Sequence, residues 1–377
     1  MKSKSNPAFK DKKFLIDHVS SIMDFYHPQC MDKEAGGFFH HFRDDGSIYD
    51  FSTRHLVSSA RFIFNYSMAS IHFNNDEYIE AARHGINFLR NCHLDKNTGG
   101  YRWLLEGKKA KDSTNYCYGL AFVLLAYSTA YKSGINEAKD HIDETFELME
   151  KQFWIKEFEL YSDEKSSDWT QESSYRGQNA NMHACEALIA AFEATNDRKY
   201  LDRALAISKS ICIRQAEQAD GLIWEHYDSN WQINWSFNKD KPDDLFRPWG
   251  FQVGHLTEWS KLLLILERYV DEDWLLPRAQ ELFDDAVEIV QRENDVIKLV
   301  KDASIWSSFS GSVTKIISDR VSVPSIRGQR YFGPSQMNLF NLLIHSFSII
   351  AVFKGVVIVR SILFLIFYLF FVYNNLS

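Results

Sequence analysis

A chain of 377 residues with 45% hydrophobic content is long enough to bury a sizeable core in one large or two ordinary domains. Its formal charge of -8, with no Lys/Arg cluster to reverse it, excludes a nucleic-acid footprint. Cys30, Cys92, Cys117, Cys185 and Cys212 lack C-x-x-C or metal-ligand spacing, which excludes a disulfide framework and reads as reduced thiols.

The opening MKSKSNPAFKDKK holds no apolar run of signal-peptide length, so the expected location is cytoplasmic. Helical spacing of apolar residues begins at Phe14 and stops at Tyr26, before His27-Pro28. Asp32 to Asp50, DKEAGGFFHHFRDDGSIYD, combines a double glycine with Asp45-Gly46 and predicts a short β-ribbon. Helices are predicted from about Thr53 to Ser70 and from Asp76 to Cys92.

The pattern then returns. DKNTGGY at 95 to 101 repeats DKEAGGF at 32 to 38, an offset of 63 residues, and a ribbon from Tyr101 to Lys109 again leads into a helix, Asn115 to Tyr131. A third unit has a looser ribbon around Phe158 to Trp169, the helix GQNANMHACEALIAAFEA and a partner from about Arg198 to Cys212. A fourth starts at Asp220 to Trp224, passes NWQINW and enters a helix at His255, whose partner runs from about Asp273 to Val290.

Arg54, Tyr118, His183 and His255 mark the four ribbon-to-helix junctions, at spacings of 64, 65 and 72 residues. Each unit is therefore a helical hairpin with a ribbon at one end, and hairpins of this kind must stack because none buries its apolar face alone. YCYGLAFVLLAYSTAY is apolar nearly all round, as the inner helix of a closed ring is. The expected fold is all-α, a ring of helical hairpins.

After about residue 290 the composition breaks. Of 50 acidic residues only Asp319 lies in 303 to 377, and no DxxxGG or amphipathic pair is present there. The uncharged apolar run Ser361 to Tyr373 is 13 residues, shorter than a membrane-spanning helix requires. This predicts a separate, atypical tail over 291 to 377, of out-of-frame or foreign origin in preference to a membrane anchor; any membrane contact falls to it.

The junctions bring polar groups to one rim. Arg54, Ser58 and Arg61 offer cations and a hydroxyl, Asn115 and Tyr118 come from the second unit, and Asn179 and His183 share a helix face at i, i+4. Arg247 and Trp249 precede His255, which lies at i, i+3 and i+4 from Glu258 and Trp259. Singly, Arg54 reads as a surface cation, Asn179 as a cap, His183 as a core histidine and Glu258 as a lysine partner; their shared place in successive repeats makes a common pocket. A histidine beside a carboxylate transfers protons near neutral pH, and an arginine stabilises an enediolate oxygen, so proton abstraction beside a carbonyl suits the set. No H-x-x-x-H, H-E-x-x-H, phosphate loop or nucleophile elbow occurs, so neither metal nor nucleotide is expected.

The strings RPWGFQVGHLTEWSKLLL, QNANMHACEALIAAFEA, STRHLVSSARFIFNYSMA and NYCYGLAFVLLAYS resemble the N-acylglucosamine 2-epimerase superfamily, and within it the mannose isomerase type of aldose-ketose isomerase, over residues 13 to 288. The resemblance implies an (α/α)6 barrel occupying 1 to 290 and incomplete after that point, a monosaccharide substrate, no cofactor, and histidine acid/base chemistry through an enediol. It implies catalytic roles for His255, Glu258 and Arg247, and sugar contacts for Arg54, Tyr118, Asn179, His183 and Trp249. The second catalytic histidine of the family, in an H-P-x-K-x-x-Y-H context, has no counterpart; beyond residue 290 the only histidine is His345, in LLIHSFSII. The alternatives are a sugar 2-epimerase, an inactive truncated relative, or a glycosidase using Glu225 and Glu258, the reaction that needs two carboxylates.

Overall fold

The computed structural model describes residues 11–242, 244 and 246–303. By contacts the chain divides into two compact units, Met1–Asp285 and Ala286–Ser377. The expectations for Asp319, His345 and the run 361–373 lie outside the described residues.

In chain order the elements are α1 Lys12–Tyr26, β1 His41–Phe42, β2 Ile48–Asp50, β3 Thr53–His55, α2 Leu56–Phe73, α3 Asp76–Phe88, β4 Leu104–Glu106, β5 Lys109–Asp112, β6 Asn115–Tyr116, α4 Cys117–Lys132 and α5 Ala138–Gln152. They continue with β7 Trp154–Ile155, β8 Leu160–Tyr161, β9 Glu164–Lys165, β10 Arg176–Gly177, α6 Gln178–Thr195, α7 Arg198–Lys209, β11 His226–Tyr227, α8 Val253–Glu267 and α9 Leu275–Ala303. Single π-helical turns, Leu89–His93 and Ser210–Gln215, extend α3 and α7.

Local chemistry sets the boundaries. Asp11, Asn75 and Asp197 cap α1, α3 and α7 by accepting backbone N–H groups of the first turn, and Asn74 and Asn196 end α2 and α6 in the left-handed region. The repeated DxxxGG is one turn built twice: Gly36 N–H donates to Asp32 O and Gly99 N–H to Asp95 O, both glycines with positive φ. A Cβ on Gly100 would lie 2.2 Å from Asn115 Oδ1, so the second glycine of that repeat admits the Asn115 side chain.

Two expected inner helices start late, at Leu56 in place of Thr53 and at Cys117 in place of Asn115. The reason is tertiary. The residues before each helix form a strand that pairs with the following unit: β3 with β4, β6 with β9 and β10 with β11, all antiparallel. Each junction is thereby stapled to its neighbour. One helix escaped the sequence reading altogether: α5 buries Ala138, Ile142, Thr145, Phe146 and Met149 as a single stripe on an otherwise charged segment.

Within the first unit, α4 packs between α2 and α6, and α6 also meets α8. The companion helices α3, α5 and α7 pack on α2, α4 and α6 respectively. Every residue of α4 from Gly119 to Ala130 is buried, as the all-round apolar pattern of an inner helix requires. All five cysteines are free and buried.

Candidate active site

A cavity of about 520 Å³ opens where α4, α6 and α8 begin. Its wall takes Trp103, Tyr116 and Tyr118 from the second unit, Asp163, Tyr175, Asn179 and Ala180 from the third, and Asp244, Phe246, Arg247, Pro248, Gln252 and His255 from the fourth. Tyr118, Asn179 and His255 all sit in the first turn of their helices, so three helix N-termini with their partial positive charge converge here, and negative charge developing on a ligand is favoured.

His255 is oriented from two sides. Its Nδ1 lies 2.9 Å from Glu225 Oε1 and 2.9 Å from Gln178 Nε2. Trp259 Nε1 donates to Gln178 Oε1 at 2.7 Å, which fixes the amide so that its nitrogen donates to both Glu225 oxygens, at 3.0 and 2.9 Å. The Nδ1 proton of His255 therefore goes to Glu225, and Nε2 is left for a ligand. Burial lowers the His255 pKa, but the Glu225 hydrogen bond and charge, with Glu258 adding to them, outweigh it and hold the value above that of an ordinary histidine. The carboxylate paired with His255 is thus Glu225 and not the helical neighbour Glu258, because i, i+3 proximity leaves Glu258 toward Lys261 at 3.7 Å.

Arg247 is clamped: Nη2 donates to Glu164 Oε2 at 2.8 Å, and the guanidinium lies 4.0 Å from the Tyr175 ring centre. Burial opposes its charge, yet Tyr175, Glu164 and Asp163 keep its pKa above the ordinary value. Asn179 Oδ1 is buried without a partner among the described residues, an acceptor waiting for a hydroxyl or amide donor. Burial raises the Tyr118 pKa, with Arg61 working against the rise, so Tyr118 is a neutral donor.

The remaining expected site residues are placed otherwise. Arg54 is 1% exposed, with Nη2 on Asp32 Oδ2 at 2.8 Å and its guanidinium over Phe39; it does not line this cavity. The surface-cation reading fails because the guanidinium turns inward, onto the buried Asp32 carboxylate and the Phe39 ring. Asn115 is spent on Tyr101 N–H and Ser166 O. Trp249 stands outside the lining, its Nε1 donating to Trp235 O at 2.8 Å.

His183 packs its ring against Tyr118 and Phe122, with Nδ1 3.2 Å from Glu186 Oε2. Donor atoms of His183, Glu186 and Glu258 lie within 4.8 Å of one another, a set able to hold a metal. Lys261 Nζ already stands 3.2 Å from Glu186 and 3.7 Å from Glu258, supplying the positive charge such a group would draw. Burial raises the Glu186 pKa, but His183 and Lys261 outweigh it and hold the value down at about 2.

Sequence reasoning did not single out Gln178, Tyr175, Glu164 or Asp163, and took Glu225 only as a glycosidase acid. The available signal was position: Gln178 directly follows a junction strand, and Glu225 directly precedes the strand that pairs with it.

The family model described as N-acylglucosamine 2-epimerase (GlcNAc 2-epimerase) matches residues 37–304. A D-mannose isomerase of Marinomonas mediterranea is 56% identical over 281 residues, 74% of this chain and 71% of that protein. A D-mannose isomerase of Thermobifida fusca is 30% identical over 263 residues, 66% of this chain and 62% of the relative. A crystal structure of D-mannose isomerase superposes with a TM-score of 0.73 at 55% identity, covering 75% of this chain and 72% of that one. The fold is accordingly of the (α/α)6-barrel class.

Proposed function

The chain belongs to the N-acylglucosamine 2-epimerase family, and on that premise we propose that it interconverts an aldose and its 2-ketose, of the mannose and fructose type, by proton transfer through an enediol without a metal. The observation that carries this reading is the His255–Glu225 pair, 2.9 Å apart at the wall of a cavity. A neutral imidazole held in the Nδ1–H tautomer presents Nε2 as a base, and the ionised Glu225 stabilises the imidazolium that forms. Arg247 and the N-termini of α4, α6 and α8 supply positive charge for the enediolate oxygens, the task a metal performs in other isomerases. Asn179 and Tyr118 would hold sugar hydroxyls. His183, packed against the Tyr118 ring, and Glu258, close to His183, would order that wall. Residues 1–290 are proposed as the catalytic domain and 291–377 as a distinct tail.

The test is incubation of the purified 377-residue protein and its His255→Gln variant with mannose, following fructose and glucose, with and without EDTA. Fructose from the parent chain, insensitive to EDTA and lowered ~10²- to 10⁴-fold in the variant, is expected. Glucose as the product would assign a 2-epimerase instead. Loss of activity in EDTA that zinc or manganese restores would overturn the metal-free mechanism.

A further inference from the structure

We propose that Asp163 is the second proton-transfer group of this cavity, moving the hydroxyl proton between O1 and O2 while His255 moves the carbon-bound one; the assignment rests on the isomerase reading.

Asp163 lies in the cavity wall, 6% exposed, one residue before β9. It is pinned to two of the converging helix starts. Its carbonyl accepts the N–H of Cys117, first residue of α4, and its Oδ2 accepts Gly177 N–H, just before α6, both at 2.8 Å. Oδ1 has no hydrogen bond among the described residues. A Cβ on Gly177 would stand 3.1 Å from Oδ1, so glycine leaves that side of the carboxyl open.

Every other charged or titratable group facing Asp163 is committed elsewhere. Arg247 pairs with Glu164, Arg176 pairs with Glu172 at 2.5 Å, and the Tyr175 hydroxyl meets His226 Nδ1 at 3.0 Å. Cys117, behind it, is fully buried with its thiol pKa far above the ordinary value, so it stays neutral. Asp163 therefore has no ion-pair partner among the described residues. A buried carboxylate without one is costly and takes up a proton. Consistent with this, burial pushes the Asp163 carboxyl up to about 7, against the pull of Arg247. Holding Gly177 N–H requires only an oxygen, which asparagine would supply equally well. The acid itself calls for another reason.

The chemistry balances. His255 takes the proton from C2, the C–H electron pair forms the C1=C2 double bond, and the carbonyl π pair takes the Asp163 proton at O1, giving the enediol, an imidazolium and a carboxylate. Asp163 then takes the proton from O2, the O–H pair forms the C2 carbonyl, and the C1=C2 pair takes the His255 proton at C1. Both side chains return to their starting states.

The experiment compares the full-length chain with Asp163→Asn. The infrared C=O stretch of neutral carboxyls is titrated with and without mannose, and ketose formation is measured across pH. The expected result is a band that disappears near pH 7, moves when mannose is added and is missing from the variant. The variant should melt normally at pH 5, bind mannose, lose the alkaline limb of its rate profile and turn over ~10²- to 10⁴-fold more slowly. Unchanged kcat and alkaline limb in the variant, or an active parent whose band ignores mannose, would overturn the assignment while leaving the isomerase reading intact. A parent that makes no ketose yet shows the mannose-dependent band would overturn the isomerase reading and keep the Asp163 contact. A parent with neither removes both.

Discussion

His255 Nδ1 and Glu225 Oε1 stand 2.9 Å apart although 30 residues separate them, and Gln178 is wedged against both. The arrangement depends on Trp259, whose indole N–H occupies the Gln178 carbonyl and so turns the amide nitrogen toward Glu225. A residue one helical turn behind the base thus sets the geometry in front of it.

Replacing Glu225 by Gln should separate positioning from proton transfer. The neutral amide removes the charge that raises the His255 pKa, so the acid limb of kcat/KM should move to lower pH, and kcat should fall as the Nδ1 tautomer loses its fixed acceptor. An unmoved acid limb would show that Glu225 does not act through His255.

Arg54 is expected to matter through stability. It and Asp32 form a buried ion pair, 1% and 9% exposed at their side chains, and removing one partner of such a pair costs about 3–5 kcal/mol. Arg54→Ala should lower the melting temperature sharply, whereas mannose affinity of the remaining folded fraction should hold. A variant that melts like the parent but loses the sugar would make Arg54 a ligand of the substrate.

Acid should weaken the fold through His93. It is 0% exposed, with Nε2 3.0 Å from Ser59 Oγ and Nδ1 2.9 Å from Arg102 O, and burial lowers its pKa to about 4 from 6.5. A histidine depressed in this way contributes fully above pH 6.5, and the contribution is lost as pH falls from 6.5 toward 4, roughly 3 kcal/mol in all. Thermal melts of the parent and His93→Gln between pH 7 and 4 test this; parallel slopes would refute it.

Asp163 should act in the opposite direction. Its folded pKa, about 7, stands above the ordinary 3.8, so its contribution is fully present below pH 3.8 and is lost as pH rises through 7. Asp163→Asn should therefore be the more stable protein at pH 8 relative to pH 5, by roughly 2–3 kcal/mol in the difference. Equal offsets at the two pH values would mean that the carboxyl titrates normally.

Repeats, turns and inner helices were legible in the sequence because they are governed by short-range rules. A positive-φ glycine, a capping Asp or an apolar helix face acts within a few residues, so DxxxGG at two positions and the uniform apolarity of α4 could be read directly. From the same periodicity came the convergence of Tyr118, Asn179 and His255, one from each of three helix starts, with Arg247 from the loop before the last. Partner choice was not legible. Whether His255 meets Glu258, three residues away, or Glu225, whether Arg54 faces a sugar or Asp32, and whether Asp163 is paired or alone all depend on which strands staple together and which side chains their register brings opposite. Contacts spanning 22, 30 or 83 residues leave no local signature, because the energy that selects them is released only when the hairpins pack and water leaves the site.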